Sequence, residues 1–347
     1  METILFLAHT EADGTLAKGA LEVLTAAQTL AGQISGSQLI VGLIGETVQP
    51  AANVVAACGA ARFLGVAGAD FAQSRYASDA AAAEALAKAA QATIVLAPGT
   101  SRLNRVLPGV AHRLQGRADS HVASISTAHG ITISRWFYRQ RMEAVMQRQQ
   151  RPWILLVDSG VCEAWTGAPG AAGVELLPVN LADSCKRTQV SGFQAPASDQ
   201  QTIRPDANLL FVTGAGWTKK QPDGQVKVPQ AAQLILGFLK LARASLGSTK
   251  SLVDLSGEGQ AILPFLTHLN QVGQTGATPR HPKGLSTCCH GEEPHTVGGP
   301  FINERRAISL DPNCGWARGK ADVLYVADAF AVMAKVNELL AAKAGAS

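Results

Sequence analysis

Three short apolar runs constrain the fold more than any other feature: "TILFLAH" at 3–9, "SQLIVGLIG" at 37–45 and "TIVLAPGTS" at 93–101. A strand with almost no polar positions is buried on both faces. Between the first two lies "GTLAKGALEVLTAAQTLAG", whose Leu21, Leu24, Ala27 and Leu30 recur at helical spacing. A helix near "AANVVAACGA", a short strand "ARFLGVAG" and an Ala-rich helix at 80–92 follow, and "VLPGVAHRLQG" reads as helical after Pro108. Strands that alternate with helices imply a parallel sheet with helices on both faces. The alternation ends near residue 120. "HVASISTAHGITISRWFY" and "PWILLVDSG" then read as antiparallel or edge strands that close a first domain near residue 165.

Residues 166–206 are rich in Gly, Pro, Ser and Ala, and they read as an extended connection. A second α/β rhythm starts at "ANLLFVTGAG". A helix is predicted over 229–247, then three short strands in "GLSTCCHG", "RRAISLD" and "ADVLYVAD", then a closing amphipathic helix in "AFAVMAKVNELLAAK". The expected fold is therefore α/β, with mainly parallel sheets in two domains, 1–165 and 207–347, and a linker between them.

Composition removes several function classes. The net charge of +4 is spread along the chain and aromatics are only 5%, so no basic, aromatic stripe for nucleic acid is present. No apolar run reaches the roughly 18 residues that a membrane span needs. The opening residues lack a basic, apolar leader pattern, so a cytoplasmic location with six reduced thiols is expected. Charged residues make up just 16% of the chain, a surface poor enough in charge to suit a large subunit interface.

Ligands of open α/β sheets sit beyond the carboxyl ends of strands. In the second domain, "VTGAGW" puts Thr213, Gly214 and Gly216 at such a place, as a partial glycine fingerprint without its third glycine. "GSTK" brings Thr249 and Lys250 together. Each of these is equally well an ordinary turn. "NQVGQTG" is more specific: Gly273 and Gly276 bare the main chain among Gln271, Val272, Gln274 and Thr275. Exposed N–H groups form a concavity for anions, and the amides and hydroxyl suit a heteroaromatic edge or a pyrophosphate.

"LNQVGQTG" followed by "AISLDPNCGWARGKADVLYVAD" resembles the C-terminal half of the electron-transfer flavoprotein alpha subunit family. "TKSLVD", "VTGAGW" and the N-terminal "ILFLAHTEADGTLAKGALEVLTAAQTL" carry the likeness further. It is strongest at 271–276 and weakest between 120 and 205. The resemblance implies a Rossmann-like C-terminal domain that binds FAD. It adds Gly291, Glu292, His295, Thr296, Ser309 and Asp322 to the expected cofactor residues. It also implies that the N-terminal domain binds a beta subunit. The pair would carry electrons from a flavoprotein dehydrogenase, of acyl-CoA or N-methyl-amine type, to a membrane quinone reductase. Such a carrier is not a substrate-converting enzyme and needs no catalytic residues.

The chain departs from that family near the flavin ring. Gly216 stands where the family has an arginine, leaving Lys219 or Lys220 as substitutes. Glu292 and Glu293 place carboxylates where the family has none, which would make a flavin harder to reduce. A stand-alone nucleotide-dependent oxidoreductase, or a nucleotide-binding scaffold without redox activity, are the alternatives.

Other clusters carry less. Cys288, Cys289 and His290, with His281 and His295 nearby, lack metal-ligand spacing, and adjacent strand residues point to opposite faces. No metal is expected. Cys162 and Cys185 have no local motif. "RWFYRQRMEAVMQRQQRPW" reads as an interface segment or an amphipathic surface strand and turn, and His9 as a turn residue.

Overall fold

The structure is a computed structural model. It describes residues 2–345 except 138–141, 193–202, 205, 255–260, 274–277, 288–300, 316, 319 and 320. Two compact units divide at residues 194 and 195. Among the described residues, no helix is long and apolar enough to cross a membrane.

The first unit runs β1 (Thr3–His9), α1 (Lys18–Gln33), β2 (Gln38–Gly45), α2 (Gln49–Val54), β3 (Arg62–Ala67), α3 (Ala69–Ala72), α4 (Tyr76–Ala89), β4 (Ile94–Pro98) and α5 (Ser101–Arg113). It continues with β5 (Arg117–Ser126), β6 (Thr132–Phe137), β7 (Met142–Met146), β8 (Trp153–Val157) and β9 (Val174–Leu176). The described strands form one sheet in the order β7-β6-β5-β8-β4-β1-β2-β3-β9. Side chains alternate across each strand. Ile4, Phe6 and Ala8 of β1 therefore face α1, where Val23, Leu24, Ala27 and Leu30 meet them. Leu5 and Leu7 face α4 and α5, against Ala83, Leu86, Leu103 and Val106. Burying each large side chain stabilises the unit by about 1.5–3 kcal/mol, so both faces hold the sheet.

The structure corrects three sequence expectations. β8 is no edge strand: it lies between β4 and β5, parallel to both, with all five residues buried. Its unbroken apolar run signals burial on both faces, which only an interior strand offers. Next, α5 begins seven residues before Pro108. Thr100 caps it, accepting a bond from Leu103 N–H at 3.3 Å, and the apolar stripe Leu103, Val106, Leu107 and Val110 outweighs the proline inside it. Finally, the helix predicted over 229–247 stops at Ala242. Arg243 adopts a left-handed φ of 49°, and Ser245–Ser248 form a strand.

β5, β6 and β7 form an antiparallel meander at the sheet edge. Asp119 of β5, 1% exposed, ties it down. Its carboxylate accepts bonds from Arg148 Nε (2.6 Å), Arg148 Nη2 (2.9 Å), Arg135 Nη1 (2.9 Å) and Trp153 Nε1 (2.8 Å). At the far edge, β9 pairs in parallel with β3. The segment before β9 is held by Asn53, whose main-chain oxygen accepts from Gly170 N–H and whose Oδ1 accepts from Ala172 N–H.

The second unit contains β10 (Leu209–Thr213), α6 (Val228–Ala242), β11 (Ser245–Ser248), α7 (Lys250–Asp254), β12 (His281–Thr287), β13 (Ile302–Ser309), β14 (Val323–Val326) and α8 (Ala329–Gly345). Its described strands lie in the order β11-β10-β12-β13-β14, every pair parallel. Phe211 packs on Phe238 of α6 with centroids 5.0 Å apart, and Trp217 packs on Phe330 of α8 at 4.6 Å. Leu210 and Val212 point the other way, to Val272, Phe301 and Ala307.

Burial alone would raise the Asp119 pKa, yet the bonds from Arg148 and Trp153 hold it below the ordinary value of 3.8. The sign follows from linkage: a carboxylate depressed in the folded state contributes stability above 3.8, and that contribution is lost as pH falls through the folded value. Asp119→Ala should destabilise the first unit by about 2–3 kcal/mol in urea unfolding at neutral pH. The figure lies below the roughly 3–5 kcal/mol of a fully buried broken pair because Arg148 is 31% exposed and its charge returns to water. The variant should also lose the part of the acid sensitivity below pH 3.8 that Asp119 supplies.

Candidate functional site

The chain leaves β10 for β11 on one side and returns to β12 on the other, so β10 and β12 flank a switch point. Crevices at such points open at the carboxyl ends of the strands. Here the ends are polar. Thr213 aligns with Ser248 and with Thr287, and Ser309 ends the next strand. Internal bonds hold this edge. Thr213 Oγ1 donates to Gly247 O (3.1 Å), Thr249 N–H to Thr213 O (2.9 Å) and Gly214 N–H to Thr287 O (2.9 Å).

Most of the edge is satisfied, but Thr249 is an exception. Its residue is 0% exposed, and its Oγ1 has no hydrogen-bond partner. A buried hydroxyl left unpaired costs about 1–3 kcal/mol. Lys250 follows immediately, exposed, as the first residue of α7.

Of the loop predicted as a cradle, the described residues 271–273 sit on this same edge. Gln271 bridges to Ser248, and Val272 N–H donates to Ser248 O at 3.0 Å. Val272 is fully buried beneath it; a Cβ at Gly247 would lie 2.6 Å from Val272 Cγ2, so the strand glycine admits the loop. Gly273 has φ +79°, a conformation that β-branched side chains avoid. Its N–H donates to Thr278 Oγ1 at 2.8 Å. On the entry side, Asn270, also fully buried, donates from Nδ2 to Leu246 O (3.2 Å) and accepts from Thr267 N–H (3.0 Å). Asn270 and Thr278 were not singled out by sequence reasoning. Their only signal is an amide or hydroxyl flanking a glycine loop, which any turn shares.

Thr213, Gly214, Thr249, Lys250, Gln271, Val272 and Gly273 are therefore brought to one edge. Gly216 lies in the 3-10 turn Ala215–Thr218 next to Gly214. The following side chain, Trp217, turns into the core, and its Nε1 donates to Thr287 Oγ1 at 2.9 Å. Lys219 and Lys220 follow that turn and are exposed. Ser309 ends β13 on the same edge, its Oγ accepting from Asp311 N–H. Asp322 is set apart. It precedes β14 at the amino edge, where its carboxylate takes the main-chain N–H of Arg305 (2.6 Å) and Arg305 Nη2 (3.0 Å). Gln274, Thr275, Gly276, Gly291, Glu292, His295 and Thr296 lie outside the described residues, as do Glu293, Cys288, Cys289 and His290.

In the first unit, His9 ends β1. Burial, then the nearby Arg102 cation, lowers its pKa. Arg102 itself is committed to Asp79, with bonds of 2.9 and 2.6 Å, and to Phe71 O. Among the described residues no group of three or more His, Cys, Asp or Glu side chains is placed to hold a metal ion.

No curated protein matches the sequence. A family model described as the electron transfer flavoprotein domain matches residues 4–184, more than half of the chain. The match spans the first unit from β1 through β9 and stops before β10. With a sheet of largely parallel strands over those residues, the chain belongs to the electron transfer flavoprotein family.

Proposed function

We propose that this chain is the alpha-type subunit of a two-chain electron-transfer flavoprotein and that its second unit holds FAD at the carboxyl edge of β10, β11 and β12. The observation that carries the reading is the buried, unpartnered hydroxyl of Thr249 beside a left-handed Gly273 at a switch point. Pyrophosphate supplies the acceptor that a lone O–H lacks, and a main chain bared at glycine can approach it closely. Thr213, Gly214, Gly216, Thr249, Lys250 and the loop 271–276 would contact the dinucleotide, with Gly291, Glu292, His295, Thr296 and Ser309 toward its other end. FAD, when bound, takes up and releases electrons. The chain's own residues bind and orient it: Asn270 and Val272 hold the loop entry, and Thr278 holds its turn.

The role proposed for the first unit is to bind a beta-type subunit. The pair would accept electrons from a flavoprotein dehydrogenase, of acyl-CoA or N-methyl-amine type, and pass them to a membrane quinone reductase. A cytoplasmic setting fits this role. One observation favours a second reading, a nucleotide-binding scaffold without redox activity: Gly216 puts no cation beside the site, and Lys219 and Lys220 are exposed beyond it.

Purification after co-expression with a beta-type subunit separates the readings. A yellow complex with flavin absorption bands supports the carrier. A colourless complex that binds AMP supports the scaffold, and turnover of NADH by the lone chain supports an oxidoreductase. Gly273→Val should lower FAD affinity about five- to 150-fold, because a β-branched residue at that φ costs about 1–3 kcal/mol. The first unit's unfolding should be unchanged. Thr249→Val should act in opposite directions: flavin-free stability unchanged or raised by up to about 1 kcal/mol, FAD affinity lowered about five- to tenfold in fluorescence titration.

A further inference from the structure

His281 opens β12 with its side chain 0% exposed. Its Nδ1 lies 2.9 Å from the carbonyl oxygen of Pro279, and its Nε2 lies 2.8 Å from that of Arg204. Carbonyl oxygens only accept. A neutral imidazole has one N–H, so one ring nitrogen would face its carbonyl lone pair to lone pair, away from water. The doubly protonated ring donates to both.

Both carbonyls belong to segments that matter for the loop. Pro279 follows Thr278, whose hydroxyl takes the Gly273 N–H. Arg204 leads into β10, and its own N–H donates to Ser245 Oγ of β11 at 2.6 Å. We propose that His281 is a buried imidazolium that clamps the foot of the glycine loop to the segment entering β10, and so acts as a positioning residue for the dinucleotide. This rests on the FAD reading above.

Among the described residues, the charged side chains on the segments next to the ring are Arg204 and Asp206 on the entry segment, Arg243 after α6, Arg280 and Lys283 beside the ring in sequence, and Glu304 and Arg305 on β13. Arg204 is engaged with Arg243 O (2.9 Å) and, at 3.9 Å, with Asp206, and Arg305 is engaged with Asp322. Among the described residues, the groups in contact with the ring nitrogens are these two carbonyl dipoles, and their oxygens offset the buried charge. Raising the pH removes one proton, and one attractive contact then becomes repulsive. The loop foot loosens, and dinucleotide affinity falls with it.

The test uses the full chain with its beta-type partner, labelled with 15N-histidine. NMR should show both His281 nitrogens protonated at neutral pH, the signal being assigned by its loss in His281→Gln. Between about pH 6 and pH 9 the wild-type FAD dissociation constant should rise about fivefold or more, and that of His281→Gln, which keeps one donor, should be flat. Hydrogen exchange at Gly273, corrected for its intrinsic pH dependence, should quicken over the same range in flavin-free wild type alone. A ring with a single N–H at neutral pH overturns the clamp. So does a doubly protonated ring whose titration leaves Gly273 exchange unmoved. Absence of FAD uptake by wild type, with the ring doubly protonated and Gly273 exchange tracking its titration, leaves the clamp standing and removes the FAD reading instead.

Discussion

Parallel pairing of β10 with both β11 and β12 is the constraint on which the candidate site depends. Parallel neighbours cannot be joined by a tight hairpin, so each connection must cross a face of the sheet. All strands then end on one edge, and the loops that leave them meet there. Because β11 and β12 flank β10, the chain leaves the sheet in opposite directions there, the arrangement at which open α/β sheets place their crevices. Thr213, Thr249 and Val272 share an edge for this reason, although 59 residues of sequence separate the first from the last.

Polar groups in the two units are treated differently. In the first unit, Asp119 is buried and saturated by two arginines and a tryptophan, and Arg102 is saturated by Asp79 and main-chain carbonyls. Those networks fasten strands and helices, although Arg135 Nε, in the first of them, is buried without a partner. In the second unit, the strand ends are satisfied except at Thr249, and the glycine loop is pinned at its entry by Asn270 and at its turn by Thr278. If the proposed dinucleotide binds there, this pinning lowers the ordering cost that binding would otherwise carry.

Much of the fold was legible. The unbroken apolar run of β1 and the stripe Leu21, Leu24, Ala27 and Leu30 required a sheet with helices packed on both faces, and that is how the first unit is built. The expectations that failed did so where local pattern met tertiary context. The apolar run of "PWILLV" already suits an interior strand, but its place after an antiparallel pair suggested an edge, and parallel pairing with β4 and β5 puts it inside. "ASLG" continues a helical pattern, and pairing with β10 drew it into β11. Pro108 looked like a helix start, but the cap at Thr100 and four apolar positions carried the helix through it.

For the candidate site, residue types alone pointed to the loop at Gly273, whereas Thr249 beside Lys250 read equally well as an ordinary turn. The sequence by itself thus determined the α/β class, the family and the segments from which a site is drawn. Only the tertiary structure decided that Asp322 lies at the opposite edge of the sheet, that Trp217 turns into the core, and that Thr249 is unpaired while Thr213 is satisfied. Periodicity records which side of an element is apolar, whereas hydrogen-bond satisfaction depends on which strand lies alongside, and strand order is set by contacts distant in sequence.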